Sequence, residues 1–221
     1  MIVALFGSTG QLGREVLRLL IERGHQPRVL VRNIMRLTQS LDQDQVVEGD
    51  VHNPKDVART VGGAEAVIST LGMADISQPA TDLSDGLRNI VSAMKTRSLK
   101  RVIAVGGASV LPHPDGGLRK HHDLAEFLVN VSAEHFRQWQ ILSESGKDWT
   151  LVCPVFFSED VPNTRYRVLR EGLPPMSDFV SIHDLAEFIV QELQDGQFLH
   201  SRVGIVSDRL EHLAVTQSVS E

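Results

Sequence analysis

The chain opens on five apolar positions, Ile2-Val3-Ala4-Leu5-Phe6, and turns through Gly7-Ser8-Thr9-Gly10-Gln11-Leu12-Gly13. It then enters Arg14-Glu15-Val16-Leu17-Arg18-Leu19-Leu20, whose apolar residues fall at helical spacing. The pattern predicts a strand buried on both faces, a tight turn and an amphipathic helix. The alternation continues. Gly24 reads as a helix C-terminal glycine, and residues 26–31 as a second strand. Val46-Val47 leads through Glu48-Gly49-Asp50 as a short third strand. Asn53-Pro54 is a helix cap followed by proline in the first turn. Residues 64–69 predict the fourth strand and 82–97 a helix with Leu83, Leu87, Ile90, Val91 and Met94 on one side. The fifth strand, 101–105, ends at Gly106-Gly107. Residues 123–145 hold one or two helices, and 149–155 the sixth strand. Ser181-Ile182-His183-Asp184 opens a helix with Leu185, Phe188, Ile189 and Leu193 on one face, and 202–206 is the last strand.

Strands alternating with helices at this spacing imply parallel strands joined by right-handed crossovers. The expected fold class is therefore α/β, a doubly wound, mostly parallel sheet with helices on both faces, in one domain over residues 1–208. Residues 154–180 form a substrate-side segment within it, and 209–221 a polar C-terminal tail. No repeat or low-complexity linker interrupts the pattern. Ligands in such sheets bind beyond the carboxyl ends of the strands. That rule selects the loops after Phe6, Val31, Glu48, Ser69, Val105 and Val152.

The first of these loops suits a diphosphate. Gly7 serves the tight turn, Gly10 allows close approach to phosphate oxygens, and Gly13 lets the helix pack on the strand. The free N–H groups and positive dipole end of the new helix face the anion. The spacing is G-x-x-G-x-x-G, and Gly7, Ser8, Thr9, Gly10, Gln11 and Leu12 become candidate dinucleotide contacts. After the second strand the chain places Arg32 and then Arg36 where an NAD site places a carboxylate. A guanidinium suits a 2′-phosphate and stacks on adenine, so NADP(H) is favoured over NAD(H); Arg32 and Arg36 alternatively belong to a solvated helix face. Asp50 either accepts from the adenine amino group or serves a local turn or cap, with Val51 as an apolar wall. Thr70, Leu71 and Gly72 approach the middle of the cofactor. Gly106, Gly107 and Ser109 are expected beside the nicotinamide, and Pro154 and Val155, with Phe156 and Phe157, close over the ring.

Composition narrows the alternatives. The 221-residue chain is long enough to bury a large core without staples. The formal net charge of −6 argues against nucleic acid as a partner, and no apolar run approaches a membrane span. The single cysteine, Cys153, sits in an apolar run, reads as a small buried hydrophobe, and fits a cytoplasmic protein. No metal site is expected. Adjacent helical residues such as His121-His122 diverge by about 100° and do not readily share an ion, and His183 reads as a helix-start residue.

These stretches resemble the atypical short-chain dehydrogenase/reductases, NAD(P)H-binding Rossmann proteins, most of all their biliverdin-IXβ and flavin reductase branch. The resemblance rests on Phe6 to Gln11, Val29 to Arg32, Gly49-Asp50-Val51, Gly86 to Lys95, Glu134 to Arg137, Leu142 to Gly146 and Ile182 to Leu185. It implies a three-layer Rossmann fold, cofactor contacts at Gly7, Thr9, Gly10, Gln11, Leu12, Arg32, Arg36, Asp50, Val51, Leu71 and Gly72, and reduction of a flavin, biliverdin or quinone by NADPH. Two departures stand out. Gly107 replaces the family's serine, with Ser109 two residues on, and the Tyr-x-x-x-Lys pair of the wider superfamily is replaced by Val131 and His135. Ser109 and His135 are thus the candidate catalytic residues; His135 meets either the nicotinamide ribose or the substrate edge, or is a half-buried helix histidine.

Without a tyrosine acid, ketone reduction lacks the proton donor its alkoxide requires. Hydride transfer to a planar acceptor is less demanding, since solvent can supply the proton. The expected partner is a small planar substrate, and the expected state a monomer or weak homodimer. Two other readings stay open: a non-catalytic NADP(H)-binding redox sensor and, less well served by the missing pair and the short segment after Val155, a sugar-nucleotide epimerase.

Overall fold

The computed structural model describes residues 1–122, 124–159, 165–175 and 179–208. Its strands are β1 (Ile2–Phe6), β2 (Gln26–Val31), β3 (Val46–Glu48), β4 (Ala66–Ser69), β5 (Arg101–Val105), β6 (Asp148–Pro154), β7 (Phe156–Ser158), β8 (Tyr166–Arg170), β9 (Phe179–Ser181) and β10 (Ser201–Ser207). The α-helices are α1 (Gln11–Glu22), α2 (Pro54–Thr60), α3 (Asp82–Thr96), α4 (Val129–Ser143) and α5 (Ile182–Asp195). The main sheet runs β3-β2-β1-β4-β5-β6-β10-β8. Every pair in it is parallel except β10 with β8. Strand order reverses at β1, which lies between β2 and β4; in sheets of this kind that is where the carboxyl-end crevice opens.

Strand side chains alternate between faces, and here both faces are buried. Val3, Leu5, Val29, Val31, Ile68 and Ile103 join α1 and α5 in one core. Ala4, Phe6, Leu30, Val67, Val102 and Ala104 join α2, α3 and α4 in the other. The helix termini follow local chemistry. Asn53 accepts from the Lys55 N–H at 3.1 Å with Pro54 behind it. Ser181 caps α5 by accepting from the Asp184 N–H at 3.2 Å, and Gly196, at φ 59°, ends it in the left-handed region.

The 154–180 segment is split between two sheets, and Val155, Phe156 and Leu173 of it line a pocket. β8 pairs antiparallel with β10 and extends the main sheet, while β7 and β9 form a separate two-stranded pair. These strands are short and carry mixed polar and apolar residues, so no clear period marks them. Residues 160–164 and 176–178, and the 209–221 tail, lie outside the described residues.

Candidate functional site

The glycine turn is built by exclusion of side chains. Gly7 sits at φ +88°, and a Cβ there would lie 2.6 Å from the Thr70 carbonyl oxygen. A Cβ on Gly13 would lie 2.0 Å from the Gly7 carbonyl oxygen, so α1 packs backbone to backbone on the turn. The Gly10 N–H donates to Gly7 O at 3.0 Å, and the Thr70 hydroxyl to Phe6 O at 3.0 Å, tying the ends of β1 and β4 together. Gly10 is the helix cap, so no side chain covers the first N–H groups of α1, and its first turn carries no acid. Gly10 and Gln11 are exposed, Thr9 half-buried, and the Ser8 hydroxyl is buried without a partner. Leu12 sends its side chain into the core, leaving only its backbone for a ligand. Such a helix start attracts an anion, and a dinucleotide diphosphate fits it.

Arg32 and Arg36 are exposed beyond the end of β2, and among the described residues no carboxylate lies within ion-pair distance of either. Asp50 follows β3. One of its oxygens, Oδ1, accepts from the His52 N–H at 2.9 Å, which realises the local-turn reading for that oxygen. Val51 and Leu71 meet at Gly86 of α3, where a Cβ would lie 3.1 Å from Val51 and 3.2 Å from Leu71. The close fit explains this mid-helix glycine, which periodicity alone treats as a weakness. Gly72 is exposed at the same rim.

Beyond β5 and β6 a pocket of about 370 Å³ opens. Gly107, Ser109 and Val155 line it, as do Val131 and His135 of α4, so the two positions that replace the tyrosine–lysine pair do come together. Gly106 and Pro154 are buried beside it at the strand ends. A Cβ on Gly107 would lie 2.5 Å from His135 Nδ1. The imidazole therefore occupies the volume a serine side chain would need at this position. Burial lowers the His135 pKa to about 4 against a partial opposing pull from Glu134, so the ring is neutral at pH 7. Phe156 borders the pocket and is exposed, its ring tilted 36° against that of Phe179 at 5.9 Å between centroids.

His183 lies in the first turn of α5 and its Nδ1 meets Glu15 Oε1 at 2.8 Å, a link between α5 and α1 away from this pocket. Tyr166 packs edge-on against Phe188, also away from it. Cys153 is buried, and burial pushes its thiol well up, as a small apolar residue would be placed.

Two features were not legible in sequence. Glu134, fully buried on α4, accepts from the Leu83 N–H at 2.8 Å, the Ser84 N–H at 3.0 Å and the Ser84 hydroxyl at 2.8 Å. It caps α3 from a neighbouring helix while Arg137 Nε donates to it at 2.7 Å. Burial opposes its charge, but the Ser84 and Arg137 hydrogen bonds outweigh that and lower its pKa. Arg119 is the other: it lines the pocket from a segment with no hydrophobic period.

Among described residues no helix is long and apolar enough to cross a membrane. The chain is 24% identical over 217 residues to the Bacillus subtilis protein YwnB, covering 93% of this chain and 98% of that one. It is 24% identical over 198 residues to an NAD(P)H azoreductase of Xenophilus azovorans, covering 86% of this chain but 63% of that longer protein. The fold matches SP1627 of Streptococcus pneumoniae TIGR4, described as a candidate NADH-flavin reductase, with a TM-score of 0.74, 22% identity, and coverage of 94% and 100%. The family model for NAD(P)H-binding proteins matches residues 7–196, and the chain belongs to that family, with a Rossmann fold.

Proposed function

We propose that the chain is an NADPH-dependent reductase transferring hydride to a flavin or another planar acceptor such as biliverdin or a quinone. The observation that carries this reading is the pocket beyond β5 and β6: open at Gly107, walled by Val131, Val155 and Phe156, and without a tyrosine or lysine at the positions of the usual pair. A flat ring fits such a wall, and relatives named for azo and flavin reduction act on flat acceptors.

In this reading Gly7, Ser8, Thr9, Gly10, Gln11 and Leu12 hold the diphosphate, largely through backbone. Arg32, with Arg36, takes the 2′-phosphate. Asp50, through its remaining oxygen, and Val51 meet the adenine. Thr70, Leu71 and Gly72 wall the middle of the cofactor, and Gly106, Gly107, Pro154 and Val155 border the nicotinamide. When bound, reduced nicotinamide supplies the hydride. The chain's own part is orientation and exclusion of water. Burial lowers the His135 pKa to about 4, so the neutral ring predominates at pH 7. His135 therefore donates or accepts a hydrogen bond but does not deliver the proton, and the Ser109 hydroxyl is the second polar contact. Water supplies the proton. The protein would work in the cytoplasm, as a monomer or weak homodimer.

The test is to mix the protein with NADPH and, separately, FMN, FAD, biliverdin and a simple quinone, following nicotinamide absorbance. Consumption with any of these supports the reading. No turnover with all four overturns it.

A further inference from the structure

The pocket wall is unevenly furnished. Among the described residues its lining contains no aspartate or glutamate and one permanent cation, Arg119. Three buried side-chain atoms in that wall have no hydrogen-bond partner: Arg119 Nε, Ser109 Oγ and Ser132 Oγ. Ser132 is only 2% exposed. Buried polar atoms are normally satisfied, so three orphans sharing one cavity call for an outside partner. Arginine only donates, and serine hydroxyls donate readily, so the missing partner is an acceptor. Among the described residues no carboxylate lies within ion-pair distance of the Arg119 guanidinium.

Arg119 is held in place by its segment. Its N–H donates to Leu111 O at 2.9 Å, Pro112 bridges to Leu118, and the His113 N–H donates to Gly117 O at 3.0 Å. His113 stacks on His122 at 3.7 Å, and His122 Nε2 contacts Gly116 O at 3.0 Å. A tight hairpin over 111–119 thus fixes the backbone from which Arg119 reaches the pocket, and its planar guanidinium is the group suited to oxyanion recognition.

We infer that the pocket selects planar acceptors that carry an oxyanion, a phosphate or carboxylate, which lies against Arg119 with Ser109 and Ser132 as further donors, the ring resting on the apolar wall. The inference rests on the reductase reading and adds the class of substrate to it.

The test uses pairs that share a ring and differ in charge: FMN against riboflavin, and a carboxylated azobenzene against its methyl ester. For each, kcat/KM with NADPH is measured, and binding to the NADP⁺-loaded protein is followed by flavin fluorescence or dye absorbance. A charge-assisted contact is expected to favour the anionic member by roughly 10- to 100-fold. Arg119→Gln should bring that ratio toward one, and Arg119→Lys should restore part of it; retained NADP⁺ binding shows that both variants are folded. Preference for FMN alone assigns a phosphate, and for the azobenzene acid alone a carboxylate. Anion-selective, Arg119-dependent binding without turnover upholds the inference and removes the reductase reading. Turnover or binding that is equal within each pair, or no binding of any probe, overturns the inference, as does a preference that survives Arg119→Gln.

Discussion

Gly107→Ala tests the steric relation at the heart of the site. Gly107 has extended backbone, φ −144°, which alanine adopts without strain, so any penalty comes from contact. The added methyl would sit 2.5 Å from His135 Nδ1 and 2.8 Å from Cε1, well inside van der Waals distance. The ring is half-buried on α4 and must turn or shift to make room. Overpacking of this kind costs about 1–3 kcal/mol. In a His135→Ala background the methyl enters vacated space. The same change should then be neutral or stabilising by about 0.4–1 kcal/mol, through reduced freedom of the unfolded chain. The double-mutant cycle therefore predicts a coupling of about 1–4 kcal/mol, with the Gly107→Ala penalty lost or reversed once the imidazole is gone. Urea unfolding of the four proteins measures it. At a slope near 3 kcal/mol per molar, 2 kcal/mol moves the midpoint by about 0.7 M. If Gly107→Ala is equally destabilising with and without the imidazole, His135 does not occupy that space and the account of the serine replacement fails.

Arg32→Gln should weaken NADPH binding roughly 10- to 100-fold while changing NADH binding little, read from nicotinamide fluorescence titrations. Equal loss for both cofactors would remove the 2′-phosphate assignment. Glu134→Gln keeps shape but loses charge-assisted acceptance from Leu83, Ser84 and Arg137, so it should cost about 2–3 kcal/mol in chemical unfolding. Because the folded pKa of Glu134 lies below its ordinary 4.5, its stabilisation is complete above that value and is lost as pH falls through the folded pKa. The variant's stability should accordingly vary less than the parent's below about pH 4.5, which unfolding curves across that window will show. Cys153, buried with its thiol pushed up, should resist a thiol reagent in the native protein and react fully in denaturant. Rapid native labelling would contradict its burial.

The contrast between what periodicity revealed and what it hid follows from where the constraints lie. β1, β2, β4, β5 and β6 are buried on both faces, so each writes an apolar run into the sequence, and α1, α3 and α5 each carry an apolar stripe. The glycine turn was legible because Gly7 and Gly13 are forced by backbone contacts of 2.6 and 2.0 Å that no other residue tolerates. β8 was not, because as an antiparallel edge strand its residues are half-buried or exposed, and Tyr166 to Arg170 show no period. Glu134 was hidden for a different reason. Its partners at Leu83 and Ser84 are about fifty positions away, and capping between helices leaves no local spacing to read. The pocket lies at the far end of this scale. Arg119, Ser109 and Ser132 come from a loop-borne hairpin, a short helical turn and the first turns of α4, brought together only by the sheet beneath them. The parts of the chain proposed to hold the cofactor are thus constrained by the chain itself and announce themselves. The parts proposed to choose an acceptor would be constrained by a molecule outside it, and the trace they leave is unpaired donors in a wall whose described residues include no acid.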